Sequence, residues 1–179
     1  MVTTRLASWI GLLGLLLAAA SVLGMSRAPR PLEIRLDSGR IIACIPSDEN
    51  DIVEVADAGV TPIGGLDNQL PAKPWQITLG SGSLPLRLKP GECLVFQQRP
   101  TGYIDTVSPS ELQEQWPYTF AIRSAALGKN GTRNHNGDFC VGHVGGTLKV
   151  VQVPHTSAAV TKATCRRLLG SSAAPENAR

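Results

Sequence analysis

The side chains whose types and spacing could support chemistry lie between residues 135 and 143: His135, Asn136, Asp138 and His143. Imidazoles and a carboxylate are ligands for zinc and related divalent ions, and His135 and Asp138 stand close enough along the chain to share one. Strand alternation works against a third ligand. It sets Asp138, Cys140, Gly142 and Val144 on one face and Phe139, Val141 and His143 on the other, so His143 meets Asp138 only through a bend. The reading is therefore a loop histidine in solvent and a strand histidine with a backbone partner; no metal, cofactor or catalytic residue is assigned. A metal-dependent hydrolase around His135, Asp138 and His143 ranks last among the functions weighed. Asn130 to Asp138 offers amide and carboxylate oxygens but lacks the acidic spacing and closing glutamate of a calcium loop, and Asn130-Gly131-Thr132 is a formal glycosylation sequon. The chain has no Gly-x-Ser-x-Gly elbow, and Gly80-Ser81-Gly82 leads into a strand where a phosphate loop would lead into a helix.

Cys44, Cys93, Cys140 and Cys165 are the other reactive groups. None lies within four residues of another, so the Cys-x-x-Cys spacing of redox and zinc sites is missing. An even number in an exported chain makes disulfides the default, with three pairings open. Linking neighbouring segments favours Cys44 with Cys93 and Cys140 with Cys165, each bridge contributing about 2–4 kcal/mol.

Export itself is read from the N-terminus. Arg5 followed by the apolar run Trp9 to Ala20 has the layout of a signal peptide, with cleavage expected after Gly24. The uncharged run of residues 8–24 is the alternative, an uncleaved anchor giving inner-membrane association at the short end of a spanning length. The chain carries 17 basic and 14 acidic residues, a net charge of +3. That excess is too small and too dispersed to point to nucleic acid.

The elements that must position these groups are short and alternating. Leu32 to Leu36 and Arg40 to Ile45 flank Asp37-Ser38-Gly39 as a hairpin. Ile52 to Ala56 alternates, and Val60 to Ala72 reads as a surface loop. Trp75 to Leu79 points Trp75, Ile77 and Leu79 inward. Leu84 to Leu88 and Cys93 to Phe96, joined by Pro90-Gly91, read as a second hairpin with Leu84, Leu86 and Leu88 on its buried face. Tyr103-Ile104 begins a short strand, Ser108 to Gln115 has the cap signals of a short helix, and Tyr118 to Ala126 is a strand. Phe139 to Val144 and Thr147 to Val153 form a hairpin about Gly145-Gly146, and His155 to Arg166 is read as an edge strand bearing Cys165. Turn signals at this spacing, without a long amphipathic helix, indicate an all-β, antiparallel β-sandwich of about eight strands. The expected division is 1–24 signal or anchor, 25–31 spacer, 32–168 sandwich and 169–179 disordered tail.

The run Leu32 to Ile45 with Cys44, then Lys89-Pro90-Gly91-Glu92-Cys93, then Tyr118 to Ile122, then Asp138-Phe139-Cys140-Val141 with Gly146-Thr147-Leu148-Lys149-Val150-Val151, resembles the type VI secretion immunity periplasmic lipoproteins. The resemblance covers Leu32 to Val153. It implies an immunoglobulin-like sandwich in the periplasm that binds and neutralises a delivered toxin, its partner being a protein. This chain departs from the family at two places: no lipid-attachment cysteine closes the apolar segment, and the part bearing Cys165 extends past the resemblance. Toxin binding on a rigid sandwich would fall to loops, and Val60 to Ala72, Gln98 to Ser110 and Gly128 to Gly137 are the candidates. The alternative is an envelope-assembly or carbohydrate-binding module using Trp75, Trp116 or Tyr103.

Overall fold

A computed structural model describes residues 28–64, 71–126, 134–154 and 160–170. The expected signal or anchor at 1–24, the sequon Asn130-Gly131-Thr132 and residues 171–179 lie outside the described residues. Among those described, no helix is long and apolar enough to cross a membrane.

Among the described residues the fold is all-β apart from one short helix. Its strands are β1 (Arg30–Pro31), β2 (Glu33–Asp37), β3 (Arg40–Cys44), β4 (Val53–Pro62), β5 (Trp75–Leu79), β6 (Arg87–Leu88), β7 (Cys93–Val95), β8 (Tyr103–Val107), β9 (Pro117–Ser124), β10 (Asn134–Val144) and β11 (Thr147–Gln152). Helix α1 (Lys162–Leu169) follows. One sheet runs β1-β10-β9-β4-β5-β8, with β11 also on β10 and β6 on β4; the other is β2-β3-β7.

Both sheets contribute to one core. Ile34, Ile41, Ala43 and Leu94 from the small sheet meet Val55, Val60, Trp75, Ile77, Phe120, Ile122 and Phe139 from the large one. Trp75 is wholly buried, and Phe96 and Phe120 each meet its ring edge-on with centroids 5.8 Å apart. Such aromatic pairs prefer this geometry because the positive ring edge meets a negative face.

Two hairpins follow directly from their turns. Gly145 and Gly146 both take positive φ, 59° and 80°, which the mirror-image turn between β10 and β11 requires and glycine adopts without a Cβ clash. The β2–β3 hairpin turns at Ser38-Gly39 in the same way.

Several expectations are corrected. β4 runs on through Pro62, into the stretch read as a loop from Val60. A bulge between Val55 and Asp57 shifts the register, so the inward set passes from Val53 and Val55 to Ala58, Val60 and Pro62. Alternation broken at that point hides the strand's length. The Leu84 to Phe96 hairpin does not form. The chain does turn at Pro90-Gly91, where the Glu92 N–H donates to the Lys89 carbonyl. The arms then join different sheets: Leu88 pairs with Val53 on β4 and Cys93 with Cys44 on β3. Leu84 is 88% exposed, so it is not on a buried face. Ser108 to Gln115 is not helical; its backbone is bonded outward instead, Ser110 N–H to the Pro74 carbonyl and Gln113 N–H to the Tyr118 hydroxyl.

The spacer also ends earlier than expected. Arg30 and Pro31 form β1, which lies parallel to β10, so the pairing is not purely antiparallel. Of the edge strand read over His155 to Arg166, residues 155–159 lie outside the described residues, and Cys165 sits on α1 instead of a strand. Thr161 and Thr164 cap the helix start reciprocally, and Gly170 in the left-handed region closes its end. Leu169 belongs to that helix and is buried, so the tail begins later than 169. The helix packs on the outer face of β10, where Cys140, Val153, Cys165 and Leu169 make a second small core. Gly142 permits the approach: a Cβ there would lie 3.0 Å from Leu169 Cδ1.

Bridges join Cys44 to Cys93 and Cys140 to Cys165, and no cysteine of the chain is free.

The seam between the sheets is closed by a side chain. Gln152, at the end of β11, accepts from the Ile34 N–H at 2.9 Å and donates to the Leu32 carbonyl at 2.6 Å, standing in for a strand neighbour of β2. Replacement by leucine removes both bonds from the backbone of two buried residues, Leu32 and Ile34. Gln152→Leu is expected to destabilise by about 1–3 kcal/mol. A urea midpoint indistinguishable from wild type would show that the bridge contributes nothing.

Candidate functional site

An open cleft of about 470 Å³ lies where the β2–β3 turn approaches β10 and β11. Five elements build it. The β2–β3 turn and the start of β3 supply Gly39, Arg40 and Ile41; Phe96 and Gln97 follow β7; the irregular segment before β9 brings Glu111, Leu112 and Glu114; β10 contributes Val141 and His143; and β11 adds Leu148.

Its floor is apolar. Ile41 and Val141 are core residues, while Phe96, Leu112 and Leu148 are half-buried and pack against that core from the open side. The rim is polar, with Arg40, Gln97, Glu111, Glu114 and His143. At the rim, His143 Nδ1 lies 2.8 Å from Glu114 Oε1. An ionised carboxylate only accepts, so Nδ1 is the donor. That hydrogen bond holds the Glu114 carboxyl below its ordinary value. Both side chains are about half exposed, which limits the pair to orienting the rim.

Chemically the cleft can seat an apolar side chain on its floor and hydrogen-bond the flanking backbone through Gln97, Glu114 and His143. Among the described residues that line it there is no Ser, Thr or Cys.

The residues singled out in the sequence are dispersed. His135 is buried beside Arg30 and Glu49 and is not a loop histidine in solvent. Asp138 accepts from the Thr119 hydroxyl at 2.7 Å. His143 is paired with the Glu114 side chain; its partner is not backbone. Asn136 gives its carbonyl to the Leu32 N–H. Among the described residues, no three His, Cys, Asp or Glu side chains converge as metal ligands would.

The rings considered for a sugar are inside. Trp75, Tyr103 and Trp116 are all buried; Tyr103 donates to the Val55 carbonyl, and Trp116 donates to Ile63 and carries the Lys162 ammonium over its ring. A stacking platform needs an open ring face, and none of these three offers one.

The candidate contact loops fare differently. Gln98 to Ser110 is irregular on either side of β8, which occupies its middle, and Asn134 to Gly137 belongs to β10 and not to a loop. Residues 65–70 and 127–133 lie outside the described residues. The cleft was not legible in the sequence, because its lining comes from five separate segments and Leu112 and Glu114 sit in a stretch with no periodic pattern.

No family model, no curated protein and no solved structure matches this chain.

Proposed function

We propose that the chain is an exported, periplasmic binding protein of the immunity type, which neutralises a delivered protein toxin by occluding it. On this reading the two sheets are a distorted immunoglobulin-like sandwich, delivered by the segment 1–24. Paired cysteines support export, since disulfides persist chiefly in oxidising compartments. The observation that carries the binding role is the cleft: an apolar floor rimmed by hydrogen-bonding groups is the form of a pocket that takes one anchor side chain of a protein partner. Neutralisation by occlusion needs such a surface and no reacting group.

The test is titration of the purified protein against the effector encoded beside its gene, with cell protection as the second readout. Leu112→Arg, which puts a charge on the half-buried floor, is expected to weaken binding about 30-fold or more, the loss of one anchor contact. Leu84→Arg, at an exposed site outside the cleft, is expected to bind as wild type. Equal binding by both variants would remove the cleft from the interface. Failure of the wild type to bind or protect would end the immunity reading.

A further inference from the structure

The described N-terminal end of the fold is held by very little backbone. β1 has two residues, paired in parallel with His135 and Asn136 of β10. Pro29 and Pro31 have no N–H, so within residues 29–31 only Arg30 can donate to the ladder. The next bond is Leu32 N–H to the Asn136 carbonyl at 2.8 Å.

Charge does the rest. The Arg30 guanidinium pairs with Glu49, whose side chain is only 3% exposed and also accepts from the Asn50 N–H. Beside them lies His135, 5% exposed, with Nδ1 buried and without a hydrogen-bond partner. The charged groups acting on His135 are Arg30 from β1, with Glu49 and Asp51 from the segment after β3. From β9 it is paired with uncharged Ile122, and the neighbouring Arg123 is engaged by Asp57.

We propose that Arg30, Glu49 and His135 form an acid-operated latch, which fastens β1 to the edge of β10 at neutral pH and releases it in mild acid by exchange of ion-pair partners. A neutral His135 leaves Glu49 to Arg30. A protonated His135 repels the Arg30 guanidinium and competes for the same carboxylate. An imidazolium–Glu49 pair then replaces the guanidinium–Glu49 pair, and Arg30 is free to move into water with β1.

The sign is consistent. Burial lowers the proton affinity of His135, so the fold favours its neutral form, and fastening is complete above the ordinary histidine value of 6.5 and weakens as pH falls below it. Glu49 stays ionised through that window. Burial alone would raise its value, but the Asn50 N–H and Arg30 outweigh it, and the net shift is downward from 4.5.

Amide hydrogen exchange of the whole chain from about pH 7.5 to about pH 5, corrected for intrinsic rates, tests the latch. Protection of the Leu32 amide, relative to Phe120 in the core, is expected to fall about tenfold. His135→Asn, which cannot charge, is expected to abolish that fall. Protection of Leu32 independent of pH in the wild type, or the same fall in His135→Asn, would overturn the proposal. Should His135→Asn fail to fold, Arg30→Gln supplies the second measurement. It is expected to loosen Leu32 at every pH and to raise the pH at which His135 titrates by NMR. An unmoved His135 titration would refute the exchange.

Discussion

Replacing Cys140 and Cys165 together by alanine is expected to lower stability by about 3–4 kcal/mol and to release α1 while leaving the two sheets assembled. The bridge closes a span of 25 residues, for which the loop-entropy relation gives that range. Cys44–Cys93 closes 49 residues, and doubling a loop adds only about 0.6 kcal/mol. Loop length therefore does not separate the two bridges; local support does. Cys44 and Cys93 face each other in the β3–β7 ladder, where Ile45 N–H to Glu92 and Gly91 N–H to Ile45 hold the strands without the sulfurs. α1 rests on the sheet through the small cluster Cys140, Val153, Cys165 and Leu169, edged by Val151, Val160 and Leu168, and through Lys162 over the Trp116 ring, a patch too small to keep an eight-residue helix folded in water. Trypsin should cut after Arg166 or Arg167 in the Cys140/Cys165 variant well before it cuts the sheets. Resistance of that site equal to wild type would show that the helix is held by packing. Removing Cys44–Cys93 is expected to lower the urea midpoint by a similar amount without that selective cut.

Trp75→Ala carries the largest expected single-residue effect, about 3–5 kcal/mol, because a wholly buried indole is lost from between Phe96 and Phe120. Trp75→Phe separates the causes. The indole N–H is buried with no hydrogen-bond partner, a group that costs about 1–3 kcal/mol to desolvate. Its removal offsets the smaller ring's lost burial, and the phenylalanine variant is expected within about 1 kcal/mol of wild type. Urea midpoints at unchanged m-value give the comparison. A phenylalanine variant as unstable as the alanine one would mean that the N–H is satisfied in solution.

The parts of the fold that showed in the sequence are those where local signals agree. Around Ser38-Gly39 and Gly145-Gly146, turn residues and two-residue alternation point to the same hairpins, and both are present. β5 and β9 likewise put Trp75, Ile77, Tyr118, Phe120 and Ile122 inward as their alternation implies. The misread segments are those where tertiary partners decide. The β4 bulge breaks alternation at Asp57. Leu84 to Leu88 alternates, yet only Leu88 is buried, because the Leu86 carbonyl is taken by the Val55 N–H and the chain leaves for β4. α1 is too short to show a periodic stripe, although Thr161, Thr164 and Gly170 mark its two ends. His143 meets Glu114 across 29 residues of sequence, and His135 meets Glu49 only because β10 lies beside the segment after β3. Neither spacing carries a signal that a linear reading can find.

The pairing of first cysteine with second and third with fourth also bears on how the molecule is made. On the proposed export route, a chain threaded N-terminus first into an oxidising compartment presents Cys44 and Cys93 before Cys140 and Cys165 have emerged. An oxidant that joins thiols in order of appearance then makes the native set at the first attempt, with no need of an isomerase to reshuffle it. The small sheet can be stapled while the strands β9 to β11 are still arriving, and α1 is fastened last, onto a surface already built.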